Sequence, residues 1–140
     1  MRAYVIGGVV AFAILIAGGT ITAHHSFDAE FDRSKPITIT GIVTKVEWTN
    51  PHVWFYVNVK DPKTGEVTNW GAEMGPPHGL QRGGWRRDTM KIGEEVTVSG
   101  SLAKNGAKRM NASTVKMTAT GGRPGQTLDA VSSGNPQNNP

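Results

Sequence analysis

Histidines are the residues of this sequence with the clearest capacity for metal chemistry. His24 and His25 stand side by side in the stretch TAHHSFDAEF, directly after an N-terminal apolar run, and His52 ends the stretch EWTNPH. Imidazole nitrogens bind copper, zinc and nickel well. We therefore predict that His24, His25 and His52 are metal ligands, with copper as the expected metal. The sequence contains no cysteine, which excludes a thiolate zinc site, a cysteine nucleophile and a disulfide framework.

The N-terminal segment has the pattern of a secretory signal peptide. Arg2 supplies the positive start, an apolar run extends from Val5 to Ala17, and Ala23 is a small residue at the end of the following polar part. The pattern predicts a signal peptide over residues 1–23 that is cleaved after Ala23. It also predicts a periplasmic or secreted protein that meets the membrane only in transit. The alternative is a retained membrane anchor, because a tilted helix through the same run would just span the apolar layer.

The site of cleavage determines which chelate the two adjacent histidines form. Cleavage before His24 creates a free α-amine that binds metal together with the His24 imidazole, the arrangement called a histidine brace when a second histidine completes it. Cleavage before Ala23 places His25 third, where an amine, two deprotonated amides and an imidazole hold Cu(II) in a square plane. Both outcomes favour copper. The alternative is that the pair is only a polar linker and that His52 caps a turn.

Hydrophobic periodicity predicts five strands in the rest of the chain. Alternation of apolar and polar residues, separated by turns rich in Gly, Pro and Asn, is typical of short β-strands. A one-residue slip of the alternation at Gly41 predicts a β-bulge in the first strand, with Ile42 pointing inward after it. The predicted strands are residues 37–48, 53–60, 67–73, 94–102 and 109–117, preceded by a lead-in segment over residues 24–36. A short helix is predicted within Leu80–Arg87, and residues 119–140, rich in Gly, Pro, Ser and Asn, are predicted to be a disordered tail.

The order of these elements predicts an all-β fold. Three consecutive strands, a short helix or loop, and a two-strand hairpin match a small five-stranded Greek-key barrel of the OB-fold type over residues 37–118. The alternative is a small open β-sandwich. At 140 residues the chain has room for one such domain.

The same topology predicts where the candidate site residues meet. The first strand leads into His52 and the third leads toward His78, and both exits lie at the same end of an OB-fold barrel. Trp54 and Tyr56 alternate with the valines of the second strand, so they face outward as a platform for a ligand or a partner protein. The predicted ligand or partner face comprises Trp48, Trp54, Tyr56, Trp70, Glu73, Met74 and His78.

Charge and missing motifs limit the function classes. The formal net charge is +4, and one local basic cluster contains Arg82, Arg86 and Arg87. We interpret this cluster as a solvated surface, and we expect Glu73 either to pair with Arg86 or Arg87 or to serve as an oxygen ligand. Nucleic acid is not an expected partner of an exported protein. No nucleophile elbow, phosphate loop or pair of catalytic carboxylates is present in the sequence, so we expect a protein that is not an enzyme.

Several longer motifs extend over the chain up to Thr118, namely AHHSF, VTKVEWTNPHVWFYVNVKD, NWGAEMG, GLQRGGWRRDTMKIGEEVTVSG and KNGAKRMNA. In combination they resemble a bacterial family of small exported proteins, a domain of unknown function with AHHSF and EWTNPH motifs. The resemblance implies no activity, and His78 departs from the family pattern. The positions that match the pattern are His24, His25, Trp48, Asn50, Pro51, His52, Trp70, Gly79, Leu80 and Trp85. In architecture alone, the chain is similar to periplasmic OB-fold copper chaperones, although their W-x-M-x-M pattern is absent from it.

These observations lead to two main hypotheses for the function. The first is an exported periplasmic binding module that takes a copper-like metal through His24 and His25, with His52 as a further ligand. The second is a non-catalytic interaction module whose Trp54 and Tyr56 face binds another exported protein. A copper enzyme with a histidine brace is a third hypothesis, which the lack of a neighbouring acid in the motif disfavours.

Overall fold

The computed structural model describes residues 27–130. In chain order, the elements are helix α1 (Phe27–Glu30), strands β1 (Phe31–Glu47), β2 (Trp54–Lys60) and β3 (Val67–Glu73), helix α2 (Pro77–Arg82), and strands β4 (Glu95–Ala103), β5 (Arg109–Met117) and β6 (Gln126–Asp129). Within this part of the chain, no helix is long and apolar enough to cross a membrane. The predicted signal peptide, His24 and His25 lie outside the described residues, as do residues 131–140.

The strands of the described residues all belong to one sheet. Their order is β3-β2-β1-β4-β5-β6, and each neighbouring pair is antiparallel. A short parallel ladder also joins β3 to β5, from Gly71 opposite Arg109 to Glu73 opposite Asn111. This ladder brings together the two ends of the run β3-β2-β1-β4-β5. The prediction of an all-β chain is thus confirmed at the level of fold class.

β1 is long because it pairs with two neighbours, β4 along its first part and β2 along its second. Its register with β2 shifts between Val43 and Lys45. The bulge expected at Gly41 is therefore wrong in position. Gly41 stays in register with β4, and a Cβ atom there would collide with the carbonyl oxygen of Asn58. Because the shift comes after Val43, Ile42 is not inside as expected but 42% exposed.

The core lies on the face of the sheet to which the valines of β2 and β4 point. Val53, Phe55 and Val57 are fully buried there, and they form one apolar cluster with Val96 and Val98 of β4. Because successive side chains of a strand point to opposite faces, the residues between them face outward. The alternation that the sequence predicts for β2 is therefore confirmed.

Two element boundaries differ from the sequence prediction. β1 begins at Phe31, inside the expected lead-in segment, because Phe31 is buried and pairs with Ala103 of β4. α2 covers Pro77–Arg82, so it begins three residues before the predicted range Leu80–Arg87 and ends inside it. The early start is explained by Pro77, because proline suits the first turn of a helix. The helix ends at Arg82, and Gly84, two residues later, has a φ of 94° that suits a glycine.

β6 lies in the segment that the sequence predicts to be a disordered tail. The buried indole N–H of Trp85 donates a hydrogen bond to the Asp129 carbonyl oxygen at 2.9 Å. Leu128 packs against the core, and Ala130 is buried directly after the strand. The prediction of disorder is wrong for this strand, because contacts with distant segments order a stretch whose own composition carries little structural signal.

Candidate functional site

The candidate site is a histidine–carboxylate pair at one end of the hairpin formed by β2 and β3. Backbone pairing continues past the two strands. Val53 N–H donates to the Gly75 carbonyl oxygen at 3.1 Å, and Met74 N–H donates to the Val53 carbonyl oxygen at 2.8 Å. His52 is therefore held beside Glu73, and its Nδ1 atom is hydrogen-bonded to Glu73 Oε1. The two side chains are 23% and 11% exposed, respectively.

Glu73 is a buried carboxylate with polar partners on two sides. The parallel ladder places Asn111 of β5 opposite it, and the buried Asn111 side chain donates a hydrogen bond to the carboxylate. Burial raises the pKa of Glu73 above its ordinary value. The charge of Glu30 adds to this increase, whereas His52 and the Asn111 hydrogen bond oppose it. The carboxylate is thus fixed in place by His52 and Asn111 in a poorly solvated position.

The pair determines which nitrogen of His52 is available to a ligand. When the Glu73 carboxylate is ionised it only accepts hydrogen bonds, and the Nδ1 atom of His52 then carries the proton of this contact. In the neutral ring, the free lone pair then lies on Nε2. Histidines that bind metals usually use one ring nitrogen for the metal and donate the other N–H to a carboxylate or a carbonyl group. His52 therefore has the hydrogen-bonding arrangement that is typical of a metal ligand.

α1 reaches the same end of the sheet. Glu30 is close enough for its charge to raise the pKa of Glu73, and its carbonyl oxygen accepts a hydrogen bond from Lys104 N–H at 2.9 Å. Glu30 and Arg109 line one cavity of about 250 Å³. The Arg109 guanidinium also lies 5.6 Å from the centre of the Trp54 ring. Glu30 and Arg109 therefore lie at the end of the sheet that carries the histidine–carboxylate pair.

No complete metal site lies within residues 27–130. In this range, no group of three or more His, Cys, Asp or Glu side chains is arranged to hold a metal ion. His52 offers one imidazole nitrogen, and the oxygens of Glu73 already accept hydrogen bonds from His52 and Asn111. Within the described residues, His52 and Glu73 are thus a pair of candidate ligands and not part of a larger cluster of such side chains.

Trp54 and Tyr56 form what we call the outer aromatic face, on the side of β2 opposite the core. Both rings lie against Gly71, where a Cβ atom would be 3.4 Å from the Tyr56 ring and 3.6 Å from the Trp54 ring. Lys45 Nζ lies 5.3 Å from the centre of the Tyr56 ring, and Tyr56 O–H donates to Glu47 at 3.1 Å. The Lys45 hydrogen bond lowers the pKa of Glu47, and burial raises the pKa of Tyr56. Each of the two rings thus has a cation of the same chain beside it, and the role of this face as a platform for a ligand or partner stays a prediction.

The remaining residues of the predicted face lie elsewhere. Trp48 and Met74 are buried in the core. Trp70 is opposite Val57 in the β2–β3 ladder and packs against the core, with Lys108 Nζ at 5.3 Å from its ring centre. His78 is exposed on α2. Packing in the core is therefore enough to explain the apolar residues of this group.

Sequence reasoning missed two contacts of the site. Asn111 reaches Glu73 only through the parallel ladder between β3 and β5, and Arg109 reaches Trp54 from the same strand. Nothing in the local sequence around Asn111 indicates this pairing. The ion pair expected between Glu73 and an arginine of the basic cluster is replaced by the contact with His52.

Fold and site together define a small all-β protein with a histidine–carboxylate pair at the end of a hairpin. The chain belongs to a family of unknown function (DUF6152), whose model matches residues 13–112. It matches none of the curated proteins with which it was compared. The matched range includes His52, Glu73 and Asn111, and it also includes His24 and His25. The predicted membership of a family of unknown function is thereby confirmed, whereas the similarity to copper chaperones stays a prediction.

Proposed function

We propose that the protein is an exported binding module for a copper-like transition metal, with His24, His25 and His52 as ligands. The observation that carries this proposal is the hydrogen bond from His52 Nδ1 to the buried carboxylate of Glu73. Such a bond orients the imidazole and leaves Nε2 for a metal, as in carboxylate–histidine–metal arrangements generally. A histidine that only caps a turn does not require a hydrogen bond to a buried carboxylate. Glu73 is such a carboxylate, and its burial raises the pKa of its own side chain.

The N-terminal histidines are close to α1 along the chain. His25 precedes the first residue of α1 by two positions and His24 precedes it by three. An extended segment of three residues spans about 10 Å. Glu30 at the end of α1 is near enough to affect the pKa of Glu73. This short separation supports one site shared by the N-terminal histidines and His52.

Copper is the metal that this ligand set favours. Imidazole and amine nitrogens bind Cu(II) more tightly than the other divalent first-row metals. Cleavage of the signal peptide before His24 or before Ala23 would add the α-amine to the donors. The proposal therefore includes export to the periplasm or beyond it, and it assigns metal binding without catalysis.

We further assign the strands β1 to β5 to the OB-fold. The support for this assignment is the strand order β3-β2-β1-β4-β5, the parallel ladder between β3 and β5, and the short helix between β3 and β4. β6 is then an addition at the edge next to β5. In OB-folds, ligands bind on one face and its neighbouring loops, which include the loop between the first two strands. His52 is in that loop.

A second candidate function is a non-catalytic interaction module that binds another exported protein through the outer aromatic face. The observation that favours it is the position of Trp54 and Tyr56 on the side of β2 away from the core, with Arg109 and Lys45 beside them. Tyr, Trp and Arg are the residues most enriched where proteins bind one another. In that case the contact of His52 with Glu73 would only connect two strand ends.

Copper titration of the mature protein, with its N-terminus confirmed by mass spectrometry, tests the leading proposal. The double variant His24→Ala/His25→Ala and the single variant His52→Ala should each weaken Cu(II) binding by more than about tenfold, because each removes direct ligands. His78→Ala is the matched control, since His78 is an exposed histidine of α2 that is not one of the proposed ligands, and it should leave the affinity unchanged. One extra residue before the mature N-terminus should weaken binding if the amine is a ligand.

Unchanged copper affinity in the double variant would show that the proposal is wrong. Unchanged affinity in His52→Ala alone would limit the site to the N-terminal segment. The second candidate is tested separately by Trp54→Ala with Tyr56→Ala, which should abolish capture of an exported partner and leave copper binding intact. Loss of copper binding in that variant would contradict a separation of the two surfaces.

A further inference from the structure

The loop from β3 to β4 contains a cavity that the proposed metal site does not use. Its volume is about 310 Å³, and it is lined by Gln81, Gly84, Trp85, Arg86 and Arg87. None of these residues belongs to the histidine–carboxylate pair or to the outer aromatic face. The cavity is therefore a separate feature of the molecule.

Two exposed arginines line this cavity. Arg86 and Arg87 are exposed beside it, and Arg82 is exposed in the last turn of α2. Within residues 27–130, none of the three arginines forms an ion pair with a carboxylate, and the neighbouring exposed Asp88 forms no ion pair either. The planar donor fork of a guanidinium group matches two oxygens of a phosphate. The cavity thus offers hydrogen-bond donors that suit a phosphate group.

The backbone that carries the arginines is held firmly in place. The Trp85 ring is 1% exposed and donates to the Asp129 carbonyl oxygen at 2.9 Å, and Trp85 N–H donates to the Leu80 carbonyl oxygen at 3.0 Å. Arg86 N–H donates to Thr89 Oγ1 at 2.7 Å, and Thr89 N–H donates back to the Arg86 carbonyl oxygen at 3.1 Å. Binding would therefore order only the arginine side chains, which keeps its entropic cost low.

The same loop also presents an apolar side chain to solvent. Ile92 is 69% exposed, the highest value among the exposed large apolar residues of the described chain, and Lys91 beside it is exposed as well. An exposed apolar side chain beside a basic residue is a feature of surfaces that bind anionic lipid. Ile92 therefore favours a lipid as the source of a phosphate group, although the cavity itself fits a soluble phosphate by the same chemistry.

We propose that the cavity beside Arg86 and Arg87 binds the phosphate group of an anionic ligand through guanidinium donors. A phospholipid headgroup and a soluble phosphate share this chemistry, and separate measurements distinguish them. The proposal shares no residue with the metal site, so either of the two can fail without the other.

The test measures binding of two probes to the purified mature protein, which lacks the apolar leader that would itself bind vesicles. Inorganic phosphate is titrated by calorimetry, and vesicles of phosphatidylcholine with and without phosphatidylglycerol are tested by co-sedimentation. The double variant Arg86→Gln/Arg87→Gln should weaken binding of the bound probe by about tenfold or more, because it removes charged hydrogen bonds. Lys63→Gln/Lys116→Gln removes the same charge from other exposed positions, and it should change binding less than about twofold.

A second pair of variants identifies the source of the phosphate. Ile92→Ser should weaken binding to phosphatidylglycerol vesicles and leave binding of inorganic phosphate unchanged. Val67→Ser is its control, because Val67 is also an exposed apolar residue, at 54%, but belongs to β3. Binding of vesicles alone would identify a lipid headgroup, and binding of inorganic phosphate alone would identify a soluble ligand. The proposal is wrong if the unchanged protein binds neither probe, or if the lysine variant loses as much binding as the arginine variant.

Discussion

Replacing Glu73 with alanine should weaken copper binding although Glu73 is not itself a proposed ligand. Its carboxylate accepts the hydrogen bond from His52 Nδ1 and is held from the other side by Asn111. Removal of such a carboxylate frees the imidazole to rotate and lowers its basicity at Nε2. Losses of this kind are about 10- to 100-fold in metal affinity, which corresponds to about 1.4–2.7 kcal/mol of binding free energy.

The substitution Glu73→Gln separates the charge of the carboxylate from its shape. A glutamine at this position can still accept the hydrogen bond from His52 Nδ1 through its carbonyl oxygen, but it has no charge. We therefore expect a loss of copper affinity smaller than that of Glu73→Ala. The copper affinities of both variants and of the unsubstituted protein should be measured by competition with a copper chelator. Urea unfolding at the same temperature should first show that all three proteins are folded.

A double-mutant cycle tests whether Glu73 acts through His52. If it does, Glu73→Ala should have little further effect on copper affinity once His52→Ala is present, because the two residues then belong to one unit. An equal loss with and without His52 would refute this reasoning, and so would full copper affinity in Glu73→Ala.

Three further predictions concern stability. Trp85→Phe removes the indole donor of the Asp129 carbonyl oxygen, so it should lower the free energy of unfolding by about 1–3 kcal/mol and speed hydrogen exchange in β6. Gly100→Ala should cost about 1–3 kcal/mol in urea unfolding, because the added Cβ atom would collide with the backbone of Asn111. Backbone N–H groups in the following turn lower the pKa of Asp61 from 3.8, so the unchanged protein should be more stable than Asp61→Asn above that pH, and this advantage should vanish as the pH falls through the lowered pKa.

Each of these predictions has an outcome that contradicts it. If hydrogen exchange in β6 is as slow in Trp85→Phe as in the unsubstituted protein, the indole hydrogen bond to Asp129 does not hold the strand in place. Gly79→Ala, where a Cβ atom meets its nearest neighbour at 3.6 Å, is the control for Gly100→Ala, and equal costs would rule out the backbone collision as the cause. An Asp61→Asn difference that is the same at every pH would exclude the charge of Asp61 as its source.

The sequence predicted the strands best where one face of the strand is buried. In β2, the alternation of valine with polar or aromatic residues predicted both the strand and the face of Trp54 and Tyr56. The prediction failed at β6, where only contacts with distant residues such as Trp85 provide order. The sequence also misplaced the bulge in β1, because a glycine that stays in register and a bulged residue both interrupt an alternation of apolar residues. In the structure, the Asn58 carbonyl oxygen lies so close to Gly41 that no Cβ atom would fit, which explains the glycine without a bulge.

The candidate site was predictable only in part for a similar reason. The sequence alone determined an all-β chain, a histidine between the first two long strands and a glutamate at the end of the third, because strand period and turn residues are local properties. It could not show that His52 donates to Glu73 rather than Glu73 pairing with an arginine, or that Asn111 joins them. Those contacts depend on which strands become neighbours, and the β3–β5 ladder joins segments that are nearly forty residues apart. Only the tertiary structure decided that the buried carboxylate holds one histidine in place.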